Sequence, residues 1–229
     1  MPLAVAVLTQ CALFSGLTPE LTRFCAEHMQ LVTLRRREAI ADGARGGGSA
    51  FTGLGVVLGG AVQAVDLTGD GREAALVTTL PFECFGLAEL LAPRGQALTW
   101  MASATSTAVG LMDREAALQA FSKPELLMRA AALLAQRVCD AHSLQKVLAV
   151  HPVSARVCAW LEWQREGERG GVTVPTHAEL AWQLNTTRES VTRVFQKLIA
   201  DGVLERDGDR WRIAMPDLLA DWACGRSRE

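Results

Sequence analysis

No stretch of the 229 residues stays apolar for the roughly 18 positions that a membrane-crossing helix needs. Met1 to Gly16 is apolar but lacks the basic opening of a secretory signal, so it is not read as one. The six cysteines, at 11, 25, 84, 139, 158 and 224, include no C-x-x-C pair. That argues against a structural zinc site and fits a reducing cytoplasm, the expected location. The histidines His28, His142, His151 and His177 show no ligand spacing, so no metal site is expected. Also missing are a glycine-rich phosphate loop and any Ser/His/Asp or Cys/His arrangement at recognisable spacing. Asp113, Arg114 and Glu115 read as a helix N-terminus and not as an acid–base pair. No catalytic residue is assigned, and an enzyme is not expected. A basic excess is absent too: net charge is −2, on 49% hydrophobic and 21% charged residues. That is ordinary globular composition, and the length suits one large or two modest domains.

What is present concentrates near the C-terminus. Residues 180–203, LAWQLNTTRESVTRVFQKLIADGV, read as a helix, a tight turn and a second helix. The second helix, Thr187 to Ala200, opens with Arg188, Glu189 and Arg193. An arginine fork fits guanine O6 and N7, and a glutamate accepts from cytosine N4. The three residues span one and a half turns and can point the same way, which predicts sequence-specific binding to double-stranded DNA. Locally, Arg188, Arg193, Lys197, Arg206, Arg210 and Arg212 stand against Glu189, Asp201, Glu205, Asp207 and Asp209. A local basic face matters more for phosphate contact than whole-chain charge.

The rest of the chain separates by pattern. From about Ala12 to Ala120, short apolar runs alternate with glycine: GVVLGGAVQAVDL, the turn TGDG at 68–71, then REAALVTTL. Two apolar runs joined by Asp70-Gly71 predict a hairpin. Further strands are expected around Ala97 to Met112, and a short helix from Thr18 to His28. From Lys123 to His151 the period changes: Leu127, Leu134, Ala141 and Leu148 recur every seven, with Ala130 and Leu144 between them. This predicts a helix of about 25 residues, roughly 38 Å long, packed on its own domain or paired with its copy in a homodimer. Pro152 disfavours helical geometry at His151 and places a hinge there. Another helix follows over Val153 to Gln164, then a loop at 167–171. Gly202 is expected to end the recognition helix, 203–214 to form a hairpin around Asp207-Gly208, and Pro216 to Ala223 a closing helix. Trp182 and Trp211 are expected as core anchors.

A β-roll, a long helix and a winged helix–turn–helix with R-E-x-x-x-R resemble the CRP/FNR family of bacterial transcription regulators. The match is tight over LAWQLNTTRESVTRVFQKLIADGVLERDGDRWRI and looser over LFSGLTPELTRF at 13–24, GDGREAAL at 69–76 and FECFGLAELLAP at 82–93. The resemblance implies an α+β fold: an antiparallel, jelly-roll-like β-roll sensor domain (1–122), a dimerisation helix (123–151) and a winged helix–turn–helix (152–229). It implies that Arg188, Glu189 and Arg193 read a palindromic operator of TGTGA-like half-sites. It also places Thr192 near a backbone or base edge, Thr187 and Thr176 near phosphate, and RNA polymerase among the partners.

The departures bear on the effector. Residues Phe85, Gly86, Leu87, Glu89, Leu98 and Thr99 lie where the resemblance implies an effector pocket. A cyclic-nucleotide cassette needs an acid directly after Phe-Gly and an Arg-Ser or Arg-Thr pair about ten residues later. Here Leu87 follows Phe85-Gly86, and Ala97 and Leu98 take the later places, with Arg94 and Thr99 out of register. Losing the arginine removes a charge-assisted contact, which argues against cyclic nucleotide. Cys11 and Cys25 do not supply the cysteine cluster of the FNR branch, so no iron–sulfur cluster is expected. Met1-Pro2 and Cys84 leave haem open, although Cys84 is one place off and reads as a small buried hydrophobe. The segment 42–53, with Gly46 to Gly48, looks longer than the corresponding family turn, a surface insertion or a lid. The rival reading is a redox- or ligand-sensing module whose winged domain docks protein.

Overall fold

The computed structural model describes residues 3–41, 51–67, 73–92, 98–167, 171–208 and 210–226. The segment Gly46–Gly48, the turn 68–71, Arg94 and Ala97 lie outside the described residues. Two units separate, Met1–Gln136 and Arg137–Glu229.

The first unit opens with helix α1 (Val5–Leu8) and helix α2 (Pro19–His28), where Pro19 occupies the first turn that tolerates a missing N–H. Among the described residues eight strands follow: β1 (Gln30–Arg35), β2 (Ala39–Ile40), β3 (Leu54–Gly59), β4 (Val62–Leu67), β5 (Glu73–Thr79), β6 (Cys84–Phe85), β7 (Thr99–Ala102) and β8 (Ser106–Met112). Helix α3 (Leu87–Leu91) sits between β6 and β7, and helix α4 (Arg114–Phe121) follows β8. Asp113 caps α4, its carboxylate accepting from Ala116 N at 2.8 Å, as expected of a helix N-terminus.

The strands form two antiparallel four-stranded sheets, β1-β8-β3-β6 and β2-β7-β4-β5. Their facing sides share one core, with Leu34, Val57, Phe85 and Val109 from the first sheet and Ile40, Val62, Ala64, Trp100 and Ala102 from the second. The outer side of the first sheet, through Leu54, Val56, Cys84 and Met112, packs on residues of α1, α2 and α4. This explains GVVLGGAVQAVDL. The run reads as one apolar stretch, but it breaks after Gly59 into β3 and β4, which belong to different sheets. Strand β3 is covered on both faces, so Leu54 to Val57 are all buried and show no alternation. Gly55 is needed there: a Cβ would stand 2.0 Å from the Phe85 ring. The β4–β5 pairing, Val62↔Thr79 through Leu67↔Glu73, puts the strands of the expected hairpin in place. Cys11, Cys25 and Cys84, far apart in sequence, converge in the helix-side core. Cys84 is 4% exposed, a small buried group as read.

Helix α5 (Pro124–Leu148) has the expected 25 residues but divides its contacts. Leu126 and Ala130 are fully buried in the first unit, with Leu133 and Leu134 packed against the same core. Leu144 and Val147 pack into the core of the second. The stripe read from the sequence is therefore split: Ala130, Leu134 and Leu144 are used within the chain. The apolar residues left outward are Leu127 (44% exposed), Met128 (68%) and Val138 (53%), with Ala131 and Ala135 also exposed between them. The outward apolar stripe differs from the one read in the sequence because each unit first covers its own core.

The second unit continues with α6 (Val153–Gly167), α7 (His177–Gln183), α8 (Arg188–Ala200), a hairpin of β9 (Leu204–Asp207) and β10 (Arg210–Ile213), and α9 (Pro216–Ala223). Val172 bridges Trp211 as a further edge. One core holds Val157, Cys158, Leu161, Leu180, Leu184, Val191, Phe195, Leu198, Val203 and Leu219.

Candidate nucleic-acid interface

Helix α7 starts in a capping box. Thr176 Oγ1 accepts from Glu179 N, and Glu179 Oε2 accepts from Thr176 N at 3.0 Å and from Thr176 Oγ1 at 2.8 Å. The T-x-x-E spacing carries this signal in the sequence. Thr176 is exposed, and its hydroxyl already serves the cap.

The turn after α7 is closed by the backbone. Asn185 takes φ +50°, its N–H donates to Trp182 O, and Thr186 N–H donates to Ala181 O. This is a Schellman arrangement, in which Asn tolerates the left-handed region. Thr187 then caps α8, its hydroxyl accepting from Ser190 N at 3.2 Å. At the far end of α8 the pattern recurs: Gly202 at φ +68° donates to Ile199 O, and Val203 N donates to Leu198 O. Both ends of the recognition helix thus lie where the sequence signals put them.

Val191, Phe195 and Leu198 form the buried face of α8. Glu189 and Arg193 are exposed on the opposite side, and Arg188 is exposed in the first turn, in line with the buried stripe and ahead of it. At about 100° per residue they fall within roughly 140° of arc. Among the described residues none of the three makes a hydrogen bond or an ion pair. The i, i+4 pair that Glu189 and Arg193 could make is not formed. In the wing, by contrast, Arg212 pairs with Glu205 across the hairpin, and Arg206 lies 6.0 Å over the Trp211 ring. Lys197 sits 4.9 Å over Trp222. The guanidinium groups left without a protein partner on α8 are Arg188 and Arg193.

One contact at this face carries no signal in the sequence. His177 opens α7, its Nδ1 lies 2.9 Å from Thr192 Oγ1 on α8, and its ring packs 4.8 Å from Phe195. Thr192 therefore has its hydroxyl engaged by a neighbouring helix. No spacing rule reveals a pair fifteen residues apart on two helices. Burial, and then the Arg188 guanidinium, hold the His177 pKa below the ordinary histidine value. The unfolded chain then binds the proton more readily than the folded one, so this contribution to stability is present above about pH 6.5 and is lost as pH falls below it. We expect thermal melting between about pH 7.5 and 5.5 to fall more steeply for the wild type than for His177→Gln. Parallel curves would contradict the assignment.

Trp182 is 50% exposed, and so it is not the core anchor expected from the sequence. Trp211 does pack against the core, edge-on to Phe195 at 5.6 Å.

The residues expected at an effector pocket are not gathered into one. Phe85 is fully buried between Phe51 (5.6 Å) and Trp100 (5.0 Å) in the core between the sheets, with Leu98 packed against it. Gly86, at φ +84°, begins α3, Leu87 points into the other core, Glu89 is half-buried and Thr99 is exposed. Buried polar side chains of the first unit are Thr22, Thr79 and Thr107 alone among the described residues. Three aromatic rings, Phe51, Phe85 and Trp100, pack together between the sheets, and no charged side chain of the first unit is buried among the described residues.

Comparison with known proteins gives two findings. Residues 155–222 match the family model of a Crp-like helix-turn-helix domain. Among solved structures, the chain is similar to FixK2 from Bradyrhizobium japonicum, at 22% identity over 85% of this chain and 96% of that one, with a TM-score of 0.65. It is also similar to a crp/fnr-family putative transcriptional regulator from Eubacterium rectale, at 18% identity over 94% and 99% of the two chains, TM-score 0.59. A CRP-family transcriptional regulator from Thermus thermophilus matches at 24% identity over 84% and 96%, TM-score 0.57. A comparison with curated protein sequences gives no match. The resemblance read from the sequence thus holds at two levels, as a Crp-like domain at the C-terminus and as the fold of CRP/FNR regulators throughout.

Proposed function

We propose that this chain, a Crp-like helix–turn–helix domain on the CRP/FNR fold, is a transcription regulator that reads a palindromic operator as a homodimer. The observation that carries this reading is the set Arg188, Glu189 and Arg193, exposed on the first turns of α8 and without a hydrogen bond or ion pair among the described residues. Each copy of α8 enters a major groove, and the half-sites lie about one helical turn apart, roughly 34–36 Å. TGTGA-like half-sites suit two arginines and a glutamate, which pair with guanine and cytosine edges. Thr187 and Thr176 flank this face near phosphate. Residues 1–122 form the sensor domain, 123–151 the dimer helix and 152–229 the DNA-binding domain. RNA polymerase is the further partner and the cytoplasm the location. No helix among the described residues is long and apolar enough to cross a membrane. The departures at Leu87, Ala97 and Leu98 from a cyclic-nucleotide cassette argue against a cyclic nucleotide as the sensor's effector.

Selection of bound sequences from a random DNA pool tests the operator reading. A two-fold symmetric consensus is expected, and a pool that stays random would overturn it.

The dimer seam has its own test. Leu127, Met128 and Val138 expose apolar surface along α5 that a second copy would cover. Val138→Asp leaves either unit's core untouched, so the monomer should lose no more than about 0.5 kcal/mol. Sedimentation should nonetheless show a shift from dimer to monomer. A variant that stays dimeric would place the seam elsewhere.

A further inference from the structure

Arg156 is the charged side chain buried among the described residues, at 7% exposure on α6. Its guanidinium is satisfied by backbone carbonyls and one histidine. Nε donates to Val150 O at 3.1 Å, and Nη1 donates to Leu184 O at 2.9 Å and to Asn185 O at 3.5 Å. Nη2 lies 3.4 Å from His151 Nδ1, which accepts when the ring carries its proton on Nε2. The acceptors come from two places. Val150 and His151 lie in the segment between α5 and α6, and Leu184 and Asn185 form the turn of the helix–turn–helix.

The turn carbonyls are the ones a Schellman closure leaves over. Asn185 N–H and Thr186 N–H already serve Trp182 O and Ala181 O, so the oxygens of Leu184 and Asn185 need an outside donor. A cation at a helix C-terminus is also favoured by the orientation of its carbonyls. Burying a charge is costly unless its N–H groups are paired, and a planar fork can pair in several directions at once.

We infer that Arg156 is a positioning residue for the recognition helix: it clamps the turn before α8 to the segment 150–151 and so sets where Arg188, Glu189 and Arg193 are held. This rests on the operator reading for its consequence in DNA binding, but the clamp is testable without DNA.

The test uses the full chain carrying Arg156→Lys, which keeps the charge and loses the fork. Amide hydrogen exchange at Asn185 and Thr186 should accelerate at least tenfold, while exchange in the wing at Leu204–Asp207 stays within twofold. Operator affinity should fall at least tenfold, with affinity for random-sequence DNA and its salt dependence nearly unchanged, because the exposed cations remain. Unchanged exchange at the turn would overturn the inference whatever the DNA titration gives. Equal acceleration in the wing would overturn it too, since Arg156 would then act on general stability. A wild type that does not distinguish operator from random DNA would sink the operator reading alone, and the exchange arm would still decide the clamp. Should Arg156→Lys not melt cooperatively, His151→Ala removes one acceptor and leaves the arginine in place. It should accelerate turn exchange about threefold, and no change would count against the clamp.

Discussion

Phe195→Ala is expected to destabilise the C-terminal unit by about 3–5 kcal/mol, enough to remove a large share of a domain's usual 5–15 kcal/mol. Phe195 is 1% exposed and central to the buried face of α8, between Val191 and Leu198. Its ring packs against His177 from α7 at 4.8 Å and edge-on to Trp211 from the wing at 5.6 Å. One side chain therefore joins three elements, and truncation leaves a cavity that none can fill without abandoning another contact. Aromatic pairs of this geometry add about 0.5–1.5 kcal/mol beyond the area they bury. Denaturant unfolding followed by circular dichroism would measure the loss, with Phe195→Leu as the milder companion. A change below about 1 kcal/mol would mean that the site collapses and that the ring is not the joint we describe.

Arg188→Ala is expected to lower operator affinity by about 1–3 kcal/mol, roughly 5- to 150-fold, and to relax specificity at one base position. The guanidinium is exposed and has no hydrogen bond or ion pair to protein among the described residues, so truncation removes little from the folded state. Stability should stay within about 0.5 kcal/mol of wild type, which separates this variant from Phe195→Ala. Arg188→Lys should not restore discrimination, because an ammonium lacks the fork that matches guanine O6 and N7. Fluorescence anisotropy on the selected operator, and on operators altered one base at a time, would decide it. Unchanged affinity would remove Arg188 from base reading and favour a winged domain that docks protein.

Much of the DNA-binding unit was legible because its signals are local. Gly202 after the recognition helix, Asp207-Gly208 at the wing and Pro216 at the last helix each act through neighbours in the chain. The 3.6-residue period of apolar positions then separates the buried face of α8 from Glu189 and Arg193. The β-roll was legible as a β-rich region but not as two sheets. A strand covered on both faces shows no alternation, and the break between β3 and β4 leaves no mark beyond its glycines.

Residue types and their spacing along the chain thus determined by themselves that this protein has a β-rich first unit, a long helix and a winged helix–turn–helix, and which side chains of α8 face outward. Only the tertiary structure decided which stripe of α5 is left uncovered, that His177 engages Thr192, that three aromatic rings fill the space between the sheets, and that Arg156 holds the turn before α8. Each of these joins groups far apart in the chain or backbone carbonyls that carry no residue identity. Periodicity records that a face is apolar and is silent about which partner covers it.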